Sequence, residues 1–304
     1  MKKIYKMKNF FKDDIWTLDM EELSKAKARF VKYVRVMMIT IKTFANERIG
    51  FQAVALSFFS TMSVVPFIAI MFAITGGLGL ADKLKELLYA YFENSQQTID
   101  IMLSFAQNII DTAQSSAIGL VSALMFGFIV IWMMLNVERV FNNVWRVRKA
   151  RNIIKRLSYV LAMIILSPFV AMMFFAGSFV YSNALQYLGI DPESLGVFKS
   201  VLAWLLFGGV ATMTFSAMYK FIPNAGVRYG SALRAAIPAA VAFTTVQYLY
   251  LEKQVFVTRL STIFGTFAAV PLFMVWINIG WFIILIGAEL SYAFQNVDNY
   301  NLDD

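Results

Sequence analysis

The chain has 304 residues, is 59% hydrophobic and 15% charged, and carries a formal net charge of +8; soluble domains carry about 25% charged residues, so a conventional soluble fold is excluded. It has no cysteine and no histidine, which removes disulfides, thiolate nucleophiles, cysteine-type zinc sites, Ser-His-Asp triads and a histidine base. No glycine-rich phosphate loop and no dinucleotide-type glycine pattern is present, so the chain reads as a non-enzyme with no cofactor and no metal.

In chain order, residues 1–48 form a cytoplasmic N-terminal segment. Lys2, Lys3, Lys6, Lys8 and Lys12 lead into Asp13, Asp14 and Ile15 rather than an apolar core and cleavage site. The segment is therefore not a signal peptide and is expected to remain in the mature protein. Leu23, Phe30, Val34, Met37, Ile41 and Phe44 share one helical face, with Lys25, Arg29, Lys32 and Lys42 mostly away from it. This pattern predicts a basic amphipathic helix, either lying on the cytoplasmic leaflet or packed as a connector on the bundle.

Six long apolar stretches follow, at 51–80, 114–137, 157–186, 200–219, 231–251 and 264–288. A helix rises about 1.5 Å per residue, so about 20 apolar residues cross the hydrocarbon core. The expected fold is all-α, a polytopic membrane bundle of six transmembrane helices over residues 49–296, with an acidic cytoplasmic tail at 297–304. The first crossing carries a polar stripe of Gln52, Ser57, Ser60, Thr61 and Ser63 that closes at Pro66. Pro66, Pro168, Pro238 and Pro271 are expected inside crossings, where proline bends a helix or simply reflects its frequency in membrane segments.

The external segment 81–113 shows two apolar stripes: Leu84, Leu87, Leu88, Tyr91 and Phe92, then Ile99, Met102, Leu103, Ala106, Ile109 and Ile110. With Asn94-Ser95 as a turn, it reads as an external helical hairpin, a structural cap or a cover over a mouth. In the fifth crossing, Ser231, Ala232, Ala235, Ala236, Ala239 and Ala240 repeat small residues and permit close helix approach. Ionisable residues fall at helix ends. Glu47, Glu138, Arg139, Lys220 and Glu289 are expected to form a polar cluster at the cytoplasmic end or to sit among headgroups. The candidate path comprises Gln52, Ser57, Ser60, Pro66, Glu138, Arg139, Lys220, Asn224 and Glu289. Arg139 and Lys220 would attract an anionic headgroup, and Glu138 and Glu289 would pair with them in its absence.

Residues 1–50 carry twelve Lys and Arg, 138–156 seven and 220–234 three, whereas 81–113 carries two, 187–199 one and 252–263 two. The positive-inside rule then places both termini in the cytoplasm. Concentrated on one side of the membrane, this charge suits anionic lipid headgroups and not nucleic acid.

The run Ala53-Val54-Ala55-Leu56-Ser57-Phe58-Phe59-Ser60-Thr61-Met62-Ser63-Val64-Val65-Pro66 resembles the first-helix signature of the YihY/virulence factor BrkB membrane proteins. So do Asn142-Asn143-Val144-Trp145, Tyr219-Lys220-Phe221-Ile222-Pro223-Asn224-Ala225, and the closing run from Phe264-Gly265-Thr266 to Gly287-Ala288-Glu289-Leu290. The resemblance spans roughly residues 40–296. It implies a multi-pass protein of the bacterial inner membrane with about six crossings and an unsettled activity, for which envelope roles including lipid transport have been proposed. A ribonuclease label once attached to the family does not suit a chain without histidine. Two readings remain: a transporter or flippase of a lipid or other amphipathic envelope molecule, and a non-transporting structural or assembly protein. Membrane lipids are the expected partners, and a homo-oligomer is compatible with either reading.

Overall fold

The computed structural model describes residues 15–17, 23–46, 48–91, 96–115, 117–147, 151–187, 197–251 and 269–300. Among the described residues the structure is helical and contains no strand. A helical turn at Ile15–Thr17 precedes α1 (Lys25–Asn46), α2 (Ile49–Gly77), α3 (Ala81–Tyr91), α4 (Gln96–Ser115) and α5 (Ala117–Val144). Then come α6 (Ile153–Tyr187), α7 (Val197–Phe221), α8 (Tyr229–Leu251) and α9 (Ala269–Asn296).

Among the described residues five segments are long and apolar enough to cross a membrane: Ile49–Gly77, Gly119–Val144, Ile153–Met173, Tyr229–Tyr250 and Pro271–Asn296. In hydrocarbon every backbone N–H and C=O must be satisfied internally, which a helix does by itself. The architecture is therefore an all-α membrane bundle. The stretch at 200–219 lies in α7, a helix of 25 residues packed against α6 and α8.

Helices α5 and α9 outrun their apolar stretches furthest, at their C-terminal ends. Helix α5 continues to Val144 and α9 to Asn296, so Glu138, Arg139 and Glu289 lie within helices and not at their ends. Apolarity marks where hydrocarbon stops, but a helix continues as long as its polar side chains find partners. Pro66 and Pro168 are buried within the unbroken helices α2 and α6, and Pro238 is inside α8. Pro271 is the third residue of α9 as described, a position where the missing N–H costs little.

The hairpin is present as α3 and α4. Helix α4 packs on α2 and α5, and α3 packs on α6. Leu84, Leu87, Ile99 and Ala106 from the two stripes are buried, and Leu84 meets Met71 and Phe72 of α2. Tyr89 donates a hydrogen bond to Asp100 across the pair, and this bond, with burial and the neighbouring carboxylate charge, raises the phenol above its ordinary range. The Asn94-Ser95 turn, Glu47, residues 1–14, 264–268 and the tail from 301 lie outside the described residues.

The largest buried cluster gathers at one end of the bundle, its base. Ile49, Ala53 and Leu56 of α2 meet Val140, Phe141 and Val144 of α5, Phe215 and Tyr219 of α7, and Leu285 and Ala288 of α9. Helix α8 enters this cluster with Ala232, Ala235, Ala236, Ala239 and Ala240, all buried, and packs against α7 and α9. Small side chains let backbones approach, so packing contacts replace the hydrophobic drive that lipid cannot supply. Ala236→Leu is expected to lower the melting temperature in detergent while leaving membrane insertion normal, because overpacking costs about 1–3 kcal/mol. An unchanged melting curve would mean that this face tolerates a bulky side chain.

Candidate functional site at the base of the bundle

Glu138 projects from α5 into the base, and its side chain is only 2% exposed. A buried carboxylate needs a cation and hydrogen bonds. Both come from the connection that follows α5. Arg156, in the first turn of α6, donates from Nε to Oε2 at 2.9 Å. Its Nη2 also donates to the carbonyl of Leu135 at 3.1 Å, one turn earlier on α5. The Arg151 guanidinium stands 3.7 Å from the other carboxylate oxygen.

Arg151 also closes the end of α7. The last carbonyls of a helix have no partner within it. Arg151 donates to the carbonyls of Phe221, Ile222 and Pro223, each at 3.2 Å, and lies 4.1 Å from the ring centroid of Tyr159. Only a planar guanidinium has enough donors in one plane to do this while facing a carboxylate.

The turn after α7 is fastened from three sides. Lys220 donates to the Val227 carbonyl. Asn142 of α5 accepts the Asn224 N–H at 2.7 Å. Gln295 of α9 donates to the Gly226 carbonyl at 3.0 Å and accepts the Arg228 N–H at 2.7 Å.

Higher in the bundle, Ser60 accepts from Trp281 Nε1 at 2.8 Å, a bond that joins α2 to α9. Ser57 is buried, and its hydroxyl donates at 2.8 Å to Val54 of its own helix. Thr61 and Ser63 likewise donate to carbonyls of α2. Gln52 is half-buried, Pro66 buried and Glu289 fully buried. Arg139 and Asn224 are exposed.

The structure therefore brings Glu138, Lys220 and Asn224 into one region, with Ser57, Ser60 and Pro66 along α2. It does not pair Glu138 with Arg139 or Lys220. Arg139 makes no ion pair among the described residues. The partners are Arg151 and Arg156, which the sequence shows only as positive charge. A signal for them existed: Glu138 stands among basic residues, and a carboxylate at the edge of an apolar segment takes the nearest arginine that can fold back. Trp281 had no comparable signal.

Among the described residues no cluster of His, Cys, Asp or Glu could hold a metal ion. What the arrangement offers chemically is two guanidiniums held on one buried carboxylate, Arg156 hydrogen-bonded to it and Arg151 at ion-pair distance. Arg139→Ala is expected to change the unfolding free energy by no more than about 0.5 kcal/mol, as surface substitutions do, and so to leave the melting curve in detergent nearly unchanged.

Segments far apart in the chain supply this base: Ala53 and Leu56, Asn142 to Trp145, Tyr219 to Ala225, and Gly287 to Leu290. Comparison with known proteins gives the same grouping a family. Similar chains include UPF0761 membrane proteins from Methylibium petroleiphilum (27% identical over 264 residues, 83% of this chain and 61% of the relative) and Janthinobacterium sp. (29% over 258 residues, 83% and 58%). Another, from Legionella pneumophila, is 26% identical over 276 residues, 89% of this chain and 64% of the relative. The chain thus spans about three fifths of the length of these curated relatives. No solved structure matches it. A family model described as virulence factor BrkB matches residues 40–304, from the end of α1 through every helix that builds the base, and the chain belongs to that family.

Proposed function

We propose that the protein crosses the bacterial inner membrane six times, with both termini in the cytoplasm, and carries an anionic amphipathic envelope molecule, a lipid or lipid-like precursor, between leaflets. The observation that carries this reading is the buried Glu138 between Arg151 and Arg156. Ionisable groups inside a membrane bundle are costly and mark function by default. A phosphate headgroup reaching the base can take the two arginines from Glu138, coupling its arrival to release of α6 from α5. The reading calls for no bond chemistry, consistent with a chain that lacks histidine and cysteine.

The test is reconstitution into liposomes with fluorescently labelled anionic and zwitterionic lipids. Accelerated leaflet exchange of the anionic lipid, reduced by Arg156→Gln in protein that still folds, supports carriage. No exchange with any of several anionic lipids supports the second reading, a non-transporting envelope protein. That alternative is favoured by Arg151, which bonds three carbonyls of one turn as a fastener would. Topology is checked separately. A cysteine at position 94 in this cysteine-free chain should react with an impermeant thiol reagent in intact cells. Labelling only after the membrane is broken would invert the assignment.

A further inference from the structure

Helix α1 has two working faces. Val31, Arg35, Val36, Ile39, Thr40 and Thr43 are buried. Val36 and Ile39 pack with Ala293 and Val297 at the end of α9. On the opposite face Phe30, Tyr33, Met37 and Ile41 are 70%, 54%, 53% and 65% exposed. Their spacing of three, four and four places them in one stripe.

The charges of α1 are all of one sign. It holds Lys25, Lys27, Arg29, Lys32, Arg35 and Lys42 and no acidic residue. Lys32 pairs with Asp298 at 2.7 Å, Arg35 donates to the Ile15 carbonyl at 2.7 Å, Lys42 lies 5.7 Å from the Tyr300 ring centroid, and Arg29 donates from Nε to the Lys25 carbonyl of its own helix at 3.4 Å. Lys25, Lys27 and Arg29 are exposed. At about 100° per residue Lys27 and Arg29 flank the apolar stripe on its two sides.

The far end of α1 is held at the foot of the membrane-crossing helices. Phe44 meets Phe282 of α9 edge-on, with ring centroids 4.9 Å apart, and Gly50 of α2 lies against both rings. The next helix exposes Phe51, Val54, Phe58 and Met62 along an apolar crossing segment.

We propose that the Phe30–Ile41 stripe of α1 is a lipid-binding surface set into the headgroup region of the bilayer, with Lys27 and Arg29 on anionic headgroups. The proposal is independent of transport. A second copy of the chain is the other candidate occupant. A pairing of these stripes between two copies would bring together two helices that carry only positive charge, with no acidic residue on either α1 to offset it, whereas an anionic surface neutralises them.

The full chain, with a single cysteine at position 37, 41 or 39, carries a nitroxide in liposomes of phosphatidylcholine and phosphatidylglycerol. Labels at 37 and 41 should favour collision with oxygen over a water-soluble nickel chelate, and the label at 39 should be shielded from both. Nickel access at 37 and 41 equal to that of a label at 27 would overturn the proposal. So would spin–spin broadening from a second copy. In a second arm, a fluorophore at 37 is quenched by brominated lipids of either headgroup. Brominated phosphatidylglycerol should quench about twice as strongly at equal mole fraction, and Lys27→Gln with Arg29→Gln should remove the difference. Equal quenching in the parent chain would overturn the anionic assignment.

Discussion

Gly287→Ala is expected to give one of the two largest losses of stability among single substitutions in this protein. A Cβ at this point of α9 would collide with the Tyr219 hydroxyl, and it would lie 2.7 Å from Tyr219 Cζ and 2.8 Å from the Ala239 Cβ. No neighbour can yield cheaply. Tyr219 is fully buried between Phe141 and Phe215, and Ala239 is fixed to the backbone of α8. Helix α9 must therefore separate from α7 and α8 together, at an overpacking cost of about 1–3 kcal/mol or more. The check is a melting curve in detergent for Gly287→Ala, Tyr219→Phe and the double variant. The Tyr219 hydroxyl has no hydrogen-bond partner among the described residues, so Tyr219→Phe alone should cost little. It should also return part of the loss in the double variant by removing the closest clash. Full stability of Gly287→Ala would mean that the three helices do not meet as closely as described.

Glu138→Ala should rank beside it for an electrostatic reason. The substitution leaves Arg156 and Arg151 facing each other across a buried gap, and breaking a buried pair costs about 3–5 kcal/mol because the remaining charge is uncompensated. The exposed pair Lys32–Asp298 provides the contrast. With side chains 35% and 67% exposed, its loss should cost at most about 1 kcal/mol and should be screened by salt. Melting temperatures of Glu138→Ala and Asp298→Ala at low and high salt separate the two cases. A salt-dependent, small effect at Glu138 would mean that the base is open to water. Glu138→Gln should fall between, since it keeps an acceptor for Arg156 but loses the charge.

The sequence alone determined the membrane environment, the helical class and the hairpin. These follow from one-dimensional quantities: the length of apolar runs against the thickness of hydrocarbon, and the period of apolar residues against the pitch of a helix. The stripe of Leu84, Leu87, Ile99 and Ala106 was legible because a helix lying on a protein surface must repeat its apolar residues every three or four positions. The close-packing role of the α8 alanines was legible for a similar reason, since small side chains at that spacing have little other use in a membrane.

Partner choice was decided only in three dimensions. The apolar stripe of α1 visible in the sequence proved to include the exposed face, whereas the packed face is built partly from Arg35, Thr40 and Thr43. No hydrophobicity pattern reports a polar residue that is buried because its hydrogen bond is satisfied, as Arg35 is on the Ile15 carbonyl. Likewise the sequence placed Glu138 beside cations but could not say which. Arg139 is its neighbour in the chain but lies on a different, exposed face, because adjacent residues on a helix diverge by about 100°. Arg156 and Arg151 arrive through the fold of the α5–α6 connection, and the meeting of Gly287 with Tyr219 requires three helices to be in place at once. Local chemistry sets what each residue needs, but only the packed bundle decides which group supplies it.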